Sequence, residues 1–148
     1  MPLDLTYPEQ NRASTDRMRA LAARLTDAQL LTAVGQHWTV AIVFAHITFW
    51  DRRVQYVLDM TERDRQLFIP EIDIFVNDLS LPLWAAIPPR TATEIAIAEA
   101  EALDRRLAAY PRDLLEVIYD YNRRWVIRGL HRHQHLDEAD AGLMAVGL

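Results

Sequence analysis

The stretch TVAIVFAHITFWDRRVQYVLDMTER, residues 39–63, decides the fold class, because its apolar residues recur at the three- and four-residue spacing of an α-helix. Thr39 is an N-cap residue type, so the pattern predicts a helix from Val40 to about Arg63. One polar side chain, His46, falls within the apolar stripe. The stripe comprises Val43, His46, Ile47, Trp50, Val54, Val57 and Leu58, whereas Asp51, Arg52, Gln55 and Asp59 lie away from it.

Before this stretch, helical spacing predicts a first helix from Arg12 to Leu25. Thr26 and Gln29 have the Thr-x-x-Gln form of a capping box, which favours a short turn of helix after it. After the stretch, residues 68–89 contain four prolines and no sustained period. They predict a long connection with a short helical or extended insert.

The second half of the chain is helical again. A third helix follows Thr93 and runs to about Tyr110, where Pro111 ends it. The last helical segments cover residues 112 to about 146, with a bend near residues 120–122 or at Gly129. Without repeats or flexible linkers, the chain is predicted to be all-α, a single domain over residues 1–148 folded as an up-and-down four-helix bundle.

Composition excludes several classes of function. All 16 basic residues are arginine, so no lysine is present to form a Schiff base, and with no cysteine any thiol chemistry must use a borrowed thiol. The net charge of −5 argues against a nucleic-acid partner. No apolar run approaches the length of a membrane span, and the amino terminus does not resemble a secretory signal. We therefore expect a cytoplasmic protein with no membrane or nucleic-acid partner.

The histidines carry the functional signal. His131 and His135 are one helical turn apart and differ by about 40° around the helix, whereas His133 points to nearly the opposite side and is expected to face solvent. His37, in the Gly35–Trp38 turn, is expected to be a loop residue. Only His131 and His135 of this group are aimed at one point.

Each histidine also has an ordinary structural interpretation. His46 alone fits a core histidine bonded to a backbone carbonyl, and a lone His-x-x-x-His pair fits a solvated helix face. The combination favours a shared site, because a buried imidazole costs about 1–3 kcal/mol unless it gains a partner. We therefore predict that His46, His131 and His135 hold a divalent metal ion.

Several residues near the histidines are candidates for supporting roles. Arg128 lies about 40° from the mean direction of the histidine pair and is our candidate for binding an anionic cofactor, although solvated arginines are common. Asp51 is expected to be exposed. Four polar residues are candidates to orient a ligand or to shuttle a proton, and each also fits a plain surface role: Gln134, Asp137, Glu138 and Tyr121.

The four tryptophans are expected in two kinds of place. Trp50 and Trp125 are expected in the core. Trp38 and Trp84 could line the mouth of the site, with Trp84 in a loop-like lid.

Two strings resemble a known family. Trp38-Thr39-Val40, followed by His46 within Ala45-His46-Ile47-Thr48-Phe49-Trp50-Asp51, resembles the second helix of the DinB-like family, part of the superfamily of mycothiol-dependent maleylpyruvate isomerase and bacillithiol transferases. The string from His131 to Glu138 is similar to the closing His-x-x-x-His element of that family. The resemblance covers nearly the whole chain.

The resemblance implies a four-helix bundle, often a homodimer, with zinc or nickel held by His46, His131 and His135. It implies that the metal activates a low-molecular-weight thiol that attacks a small electrophilic substrate. The function predicted first is therefore a metal-dependent thiol transferase. Two alternatives stay open: a non-catalytic bundle that binds a metal or a small molecule, and a metal-dependent hydrolase. No catalytic residue beyond the ligands is assigned. The segments 68–74 and 143–148 are candidates for a two-fold contact.

Overall fold

Six α-helices account for most of the chain in a computed structural model that describes residues 1–148. The remaining regular structure is two short 3-10 helices, Gln29–Leu31 and Arg123–Trp125, and one antiparallel pair of strands, β1 (Ala33–Val34) and β2 (Trp38–Thr39). The all-α prediction is confirmed at this level. The helices are α1 (Tyr7–Arg24), α2 (Val40–Asp64), α3 (Val76–Ala85), α4 (Pro89–Ala108), α5 (Arg112–Tyr121) and α6 (Arg128–Met144).

Helix α2 forms as its sequence predicts. The side chain of Thr39 accepts a hydrogen bond from the backbone N–H of Ile42 at 3.2 Å, which satisfies one of the free donors at the start of the helix. All seven residues of the predicted stripe, including His46, are buried. Both ends of the helix lie within about one residue of the prediction.

Four helices enclose the core. Helix α2 packs against α4 and α6, and α1 packs against the same two helices on the other side. Two groups of buried apolar side chains fill the space, one around Phe44 and Ile47 and the other around Val57 and Leu107. Helices α1, α4, α2 and α6 thus form a closed ring of contacts. The up-and-down order of the helices along the chain stays a prediction.

Prolines account for two differences from the predicted boundaries. Helix α1 begins at Tyr7 instead of Arg12, and α4 begins at Pro89 instead of after Thr93. Pro8 and Pro89 both lie in a first helical turn, where a proline removes only an N–H that has no helical partner. Both helices therefore begin earlier than predicted.

The proline-rich connection contains a helical insert, as one of the two predicted outcomes. Helix α3 forms despite Pro82 in its interior and lies against α2. It buries Trp84, whereas Leu79 and Leu83 remain exposed. Trp84 is therefore a helical residue, and the expectation that it belongs to a loop-like segment is wrong.

The strand pair between α1 and α2 was not predicted, because two residues per strand are too few for a detectable period. Its turn contains Gly35, whose φ of 64° suits a residue without Cβ. Before it, the capping box is present in both directions: the N–H of Thr26 donates to Gln29 Oε1 at 2.9 Å, and the N–H of Gln29 donates to Thr26 Oγ1 at 3.1 Å. The pair places Trp38 beside the start of α2.

The carboxy-terminal region is divided instead of bent. Helix α5 ends at Tyr121, the 3-10 helix follows, and α6 begins at Arg128. In the first turn of α6, a Cβ on Gly129 would lie 2.9 Å from the backbone oxygen of Gln10 in α1. Helices α1 and α6 therefore lie in close contact at Gly129, where a side chain larger than hydrogen would not fit. No helix combines the length and apolar character needed to cross a membrane.

Candidate metal centre

Three histidine side chains converge between α2 and α6. The Nε2 atom of His46 lies 3.2 Å from Nε2 of His131 and 3.0 Å from Nε2 of His135. His46 is 3% exposed, and the other two are partly buried. The ligand atoms of all three lie within 4.8 Å of one another, a spacing at which they could share one metal ion.

The local sequence explains which histidines meet. His131 and His135 project from the same side of α6 one turn apart, and the contact between α2 and α6 brings His46 to them. His37 is exposed in the turn between the strands, as expected. His133 is half-buried, with Nδ1 3.0 Å from Nη1 of Arg17 in α1, so the prediction that it faces solvent is wrong. It points to the neighbouring helix, away from the cluster.

Tryptophan rings surround His46. The ring centroid of Trp38 lies 4.6 Å from that of His46, Trp84 lies at 5.6 Å and Trp50 at 6.2 Å. Trp38 is also 5.8 Å from the ring of His135. Trp38 and Trp84 therefore border the site as predicted. Trp50 and Trp125 are buried, also as predicted, and the indole N–H of Trp50 donates to Asn77 Oδ1 of α3 at 2.9 Å.

The groups behind the three imidazoles differ in charge. Nδ1 of His135 lies 3.0 Å from Glu138 Oε2, so the predicted role of Glu138 in orienting a ligand has a matching contact. Nδ1 of His131 lies 3.2 Å from Nη2 of Arg128. Nδ1 of His46 is buried without a hydrogen-bond partner. One ring thus faces an anion, one faces a cation and one faces neither.

These contacts determine the ring protons. A guanidinium only donates, so neutral His131 carries its proton on Nε2, whereas His135 donates from Nδ1 to Glu138 and leaves a lone pair on Nε2. A proton on Nε2 of His46 would face the Nε2–H of His131. A lone pair on Nε2 of His46 would instead face the lone pair of His135. No assignment of protons to three neutral rings satisfies both short contacts.

An additional proton is disfavoured by the surroundings. Burial, helped by the charges of His135 and Arg128, lowers the pKa of His46 to about 3, although Asn77 opposes the shift. Burial likewise lowers the pKa of His131 far below its usual range, and Arg128 and the two other histidines add to the effect. At neutral pH the rings of His46 and His131 are therefore neutral, and a neutral imidazole can bind a metal ion through whichever nitrogen carries no proton.

Asp51 corrects one expectation. It was predicted to be exposed, but it is fully buried and accepts hydrogen bonds from Nε of Arg128 at 2.8 Å and Nε of Arg132 at 3.0 Å. The reason is that α2 is covered by α6 as well as by α4, so residues beside its apolar stripe are also enclosed. Asp104 of α4 accepts from Nη1 of Arg132 at 2.8 Å and balances the second cation.

Arg128 lies where its position on the helix suggested, next to the histidine pair. It is 1% exposed, and besides Asp51 and His131 it donates to the backbone oxygen of Arg124 at 2.8 Å. Binding of an anionic cofactor by Arg128 stays a prediction. Two other candidates are engaged elsewhere: Gln134 accepts from Arg124, and Asp137 pairs with Arg17.

One of three comparisons with known proteins gave a match. Searches among curated proteins and among solved structures gave no match. The chain does match the family described as mycothiol maleylpyruvate isomerase N-terminal domain over residues 11–121. The matched range includes His46 and Asp51 and ends before His131 and His135, whose place in the site therefore rests on the fold.

This match confirms the resemblance to the DinB-like superfamily, to which that domain belongs. Because it spans well over half of the residues, the chain belongs to the mycothiol maleylpyruvate isomerase N-terminal domain family.

Proposed function

We propose that this protein is a metal-dependent thiol transferase, which forms a bond between the sulfur of a low-molecular-weight thiol and a small electrophilic molecule while the thiol loses its proton. In this proposal, His46, His131 and His135 hold a divalent zinc or nickel ion. One observation carries it: three Nε2 atoms converge at 3.0 and 3.2 Å, and no arrangement of ring protons satisfies them. A cation that accepts several lone pairs is the chemical species that suits such a donor set.

The ligand set supports catalysis more than a purely structural ion. Structural zinc sites use four protein ligands, whereas three imidazoles leave a position for a reactant. Bound there, a divalent ion would stabilise a thiolate or hydroxide at neutral pH. No cysteine is present, so the sulfur must come from outside the protein, and the family description names mycothiol.

Other residues of the chain would hold the histidine ligands in place and border the site. Glu138 holds the ring of His135 through Nδ1, and Asp51 holds Arg128 behind His131. Trp38 and Trp84 border the cluster with apolar rings that limit access of water. Arg128 opposes the ligand form of His131, because it favours a proton on Nε2, the atom that must carry a free lone pair to bind a metal.

Metal analysis of the purified full-length protein tests the site. We expect about one zinc or nickel ion per chain in the wild type and its loss in His46→Ala, His131→Ala and His135→Ala. His37→Ala is the matched control, since His37 is exposed and outside the cluster. Full occupancy in all three cluster variants would remove the proposal.

An activity assay separates thiol transfer from the alternatives. The protein is incubated with mycothiol and 1-chloro-2,4-dinitrobenzene, with and without a chelator, and loss of free thiol is followed. Enzyme-dependent thioether formation that chelation and the His46→Ala change abolish supports the proposal. Bound metal with no acceleration above the metal-free protein indicates a binding bundle, and metal-dependent hydrolysis of an ester substrate without thiol indicates a hydrolase.

We also propose a homodimer. Ile74 is 77% exposed, and Met144 and Val146 at the other predicted contact segment are 75% and 62% exposed. Exposed apolar side chains within the two predicted contact segments support this assembly. Sedimentation at several concentrations tests the assembly: a mass of one chain at all concentrations contradicts it, and Ile74→Glu should shift a dimer toward monomer while Val117→Glu should not.

A further inference from the structure

Arg53 has an unusual environment on α2. Its Cζ atom lies 4.4 Å from the ring centroid of Trp50 and 5.1 Å from that of Trp125, so the guanidinium is held between two indole rings. Cation–π contacts of this kind favour a cation at this position. They also fix the orientation of the guanidinium before any ligand arrives.

The guanidinium of Arg53 has no acceptor within the protein. Its Nε atom is buried without a hydrogen-bond partner, and neither Nη group makes a hydrogen bond or an ion pair. The nearby carboxylate, Asp51, is already shared by Arg128 and Arg132. Every other arginine that is buried or half-buried donates to a protein acceptor, including Arg17, Arg90, Arg106 and Arg124.

Arg53 lines a cavity of about 530 Å³ beside α2, a volume within the range of small-molecule sites. Apolar walls are contributed by Phe49, Tyr56 and Ile72. Phe49 also contacts Trp50, with ring centroids 5.2 Å apart, and Trp50 in turn contacts His46. The cavity is thus a neighbour of the histidine cluster, separated from it by aromatic side chains.

The other charged groups of the cavity are neutralised. Arg52 donates to Glu99 at 2.7 Å, and Asp59 pairs with Arg106 at 2.6 Å. Arg53 is therefore the one charged residue of the lining without a counter-ion. Burial, together with the charge of Arg128, lowers the pKa of Arg53 to about 10, so the side chain still carries its charge at neutral pH.

We propose that this cavity binds a small carboxylate-containing molecule, with the carboxylate on the guanidinium of Arg53 and the apolar part against Phe49, Tyr56 and Ile72. A guanidinium and a carboxylate match in a planar pair of hydrogen bonds. The site is defined by its own residues and does not depend on a metal ion at the histidines.

A solely structural role for Arg53 makes a different prediction. If the guanidinium serves only to fill the space between Trp50 and Trp125, its replacement lowers stability and leaves carboxylate binding unchanged. Ligand binding must therefore be measured at Arg53 itself.

The experiment uses the ¹⁵N-labelled full-length protein and follows the Nε–H resonance of Arg53 by NMR. Arg53→Lys identifies the resonance by its loss. The probes are succinate and succinamide, which have similar shapes but differ in charge. We expect a saturable shift with succinate and none with succinamide, both with and without added zinc. Arg53→Met should weaken succinate binding by about tenfold or more, measured by calorimetry.

Arg52→Met is the matched control, because Arg52 lines the same cavity but is paired with Glu99. It should keep succinate affinity within about twofold of the wild type. An Arg53 resonance that does not move with succinate, or equal affinity in a folded Arg53→Met variant, overturns the proposal. Because the metal-free protein is also titrated, failure here is distinct from failure of the histidine site.

Discussion

Arg128 donates a hydrogen bond from Nη2 to Nδ1 of His131 across 3.2 Å, so a cation stands behind one of the three converging imidazoles. Metal-binding histidines usually donate from the remote ring nitrogen to a carboxylate or carbonyl, as His135 does to Glu138. The two histidines of α6 are therefore tuned in opposite directions. The contact with Glu138 favours the form of His135 that can bind a metal through Nε2. The contact with Arg128 favours the form of His131 that carries its proton on Nε2.

Replacing Arg128 by Gln should tighten metal binding. The amide oxygen of Gln can accept a hydrogen bond from Nδ1–H of His131, which favours the tautomer with a free lone pair on Nε2, and the positive charge is removed. We expect an increase in zinc affinity on the order of tenfold, measured by competition with a chromophoric chelator. Unchanged or weaker binding in a folded variant would contradict this account of the proton.

Replacing Glu138 by Gln should have the opposite effect. The carboxylate orients His135 and raises the basicity of its Nε2, so its loss should weaken zinc binding by about 10- to 100-fold. Asp137→Asn is the control, since Asp137 is the neighbouring acid and pairs with Arg17 instead. If zinc affinity falls equally in both variants, the cause is the overall charge of α6 and not the contact of Glu138 with His135.

Asp51→Asn should strongly destabilise the fold, because it leaves the guanidinium groups of Arg128 and Arg132 buried with less compensating charge. We expect a loss of about 3–5 kcal/mol in the free energy of unfolding, measured with urea on the metal-free protein. Asp59→Asn on the same helix removes an exposed ion pair and should cost less than about 1 kcal/mol. Similar costs for the two variants would contradict the assigned role of Asp51.

Gly129→Ala should also destabilise the protein. Alanine normally stabilises a helix relative to glycine by up to about 1 kcal/mol, but here the added Cβ would lie 2.9 Å from the backbone oxygen of Gln10. Separation of α1 and α6 should cost about 1–3 kcal/mol in urea unfolding. A more stable variant would show that the two helices are not in close contact at this position.

Tyr110 should make stability fall at high pH. Its hydroxyl donates to the backbone oxygen of Leu58 at 2.7 Å, and burial raises its pKa to about 12 from an ordinary value of 10. Between these values the unfolded chain loses the tyrosine proton while the folded protein keeps it. The free energy of unfolding should therefore fall by about 1.4 kcal/mol per pH unit in this window, with the full contribution present below pH 10.

The matched variant is Tyr110→Phe, which removes the titrating group. Its unfolding free energy, measured with urea from pH 9 to 11.5, should fall less steeply above pH 10 than that of the wild type. An identical slope in the two proteins would contradict the raised pKa.

Local patterns were sufficient for much of the fold. The stripe of α2 and the capping residue Thr39 predict that helix closely, because helical periodicity and capping involve neighbours within one or two turns. The starts of α1 at Tyr7 and of α4 at Pro89 were predicted too late, because proline fits a first helical turn as well as a loop. The strand pair at Trp38 was too short to produce a pattern.

The sequence by itself determined the helical class, the apolar face that carries His46, and the one-turn spacing that aims His131 and His135 together. Only the tertiary structure decided that these rings meet, that Asp51 is buried between two arginines, and that Arg53 is left without an acceptor. The contacts of His46 with His131 and of Asp51 with Arg128 join residues 85 and 77 positions apart. Such contacts depend on how whole helices pack, which no local spacing encodes.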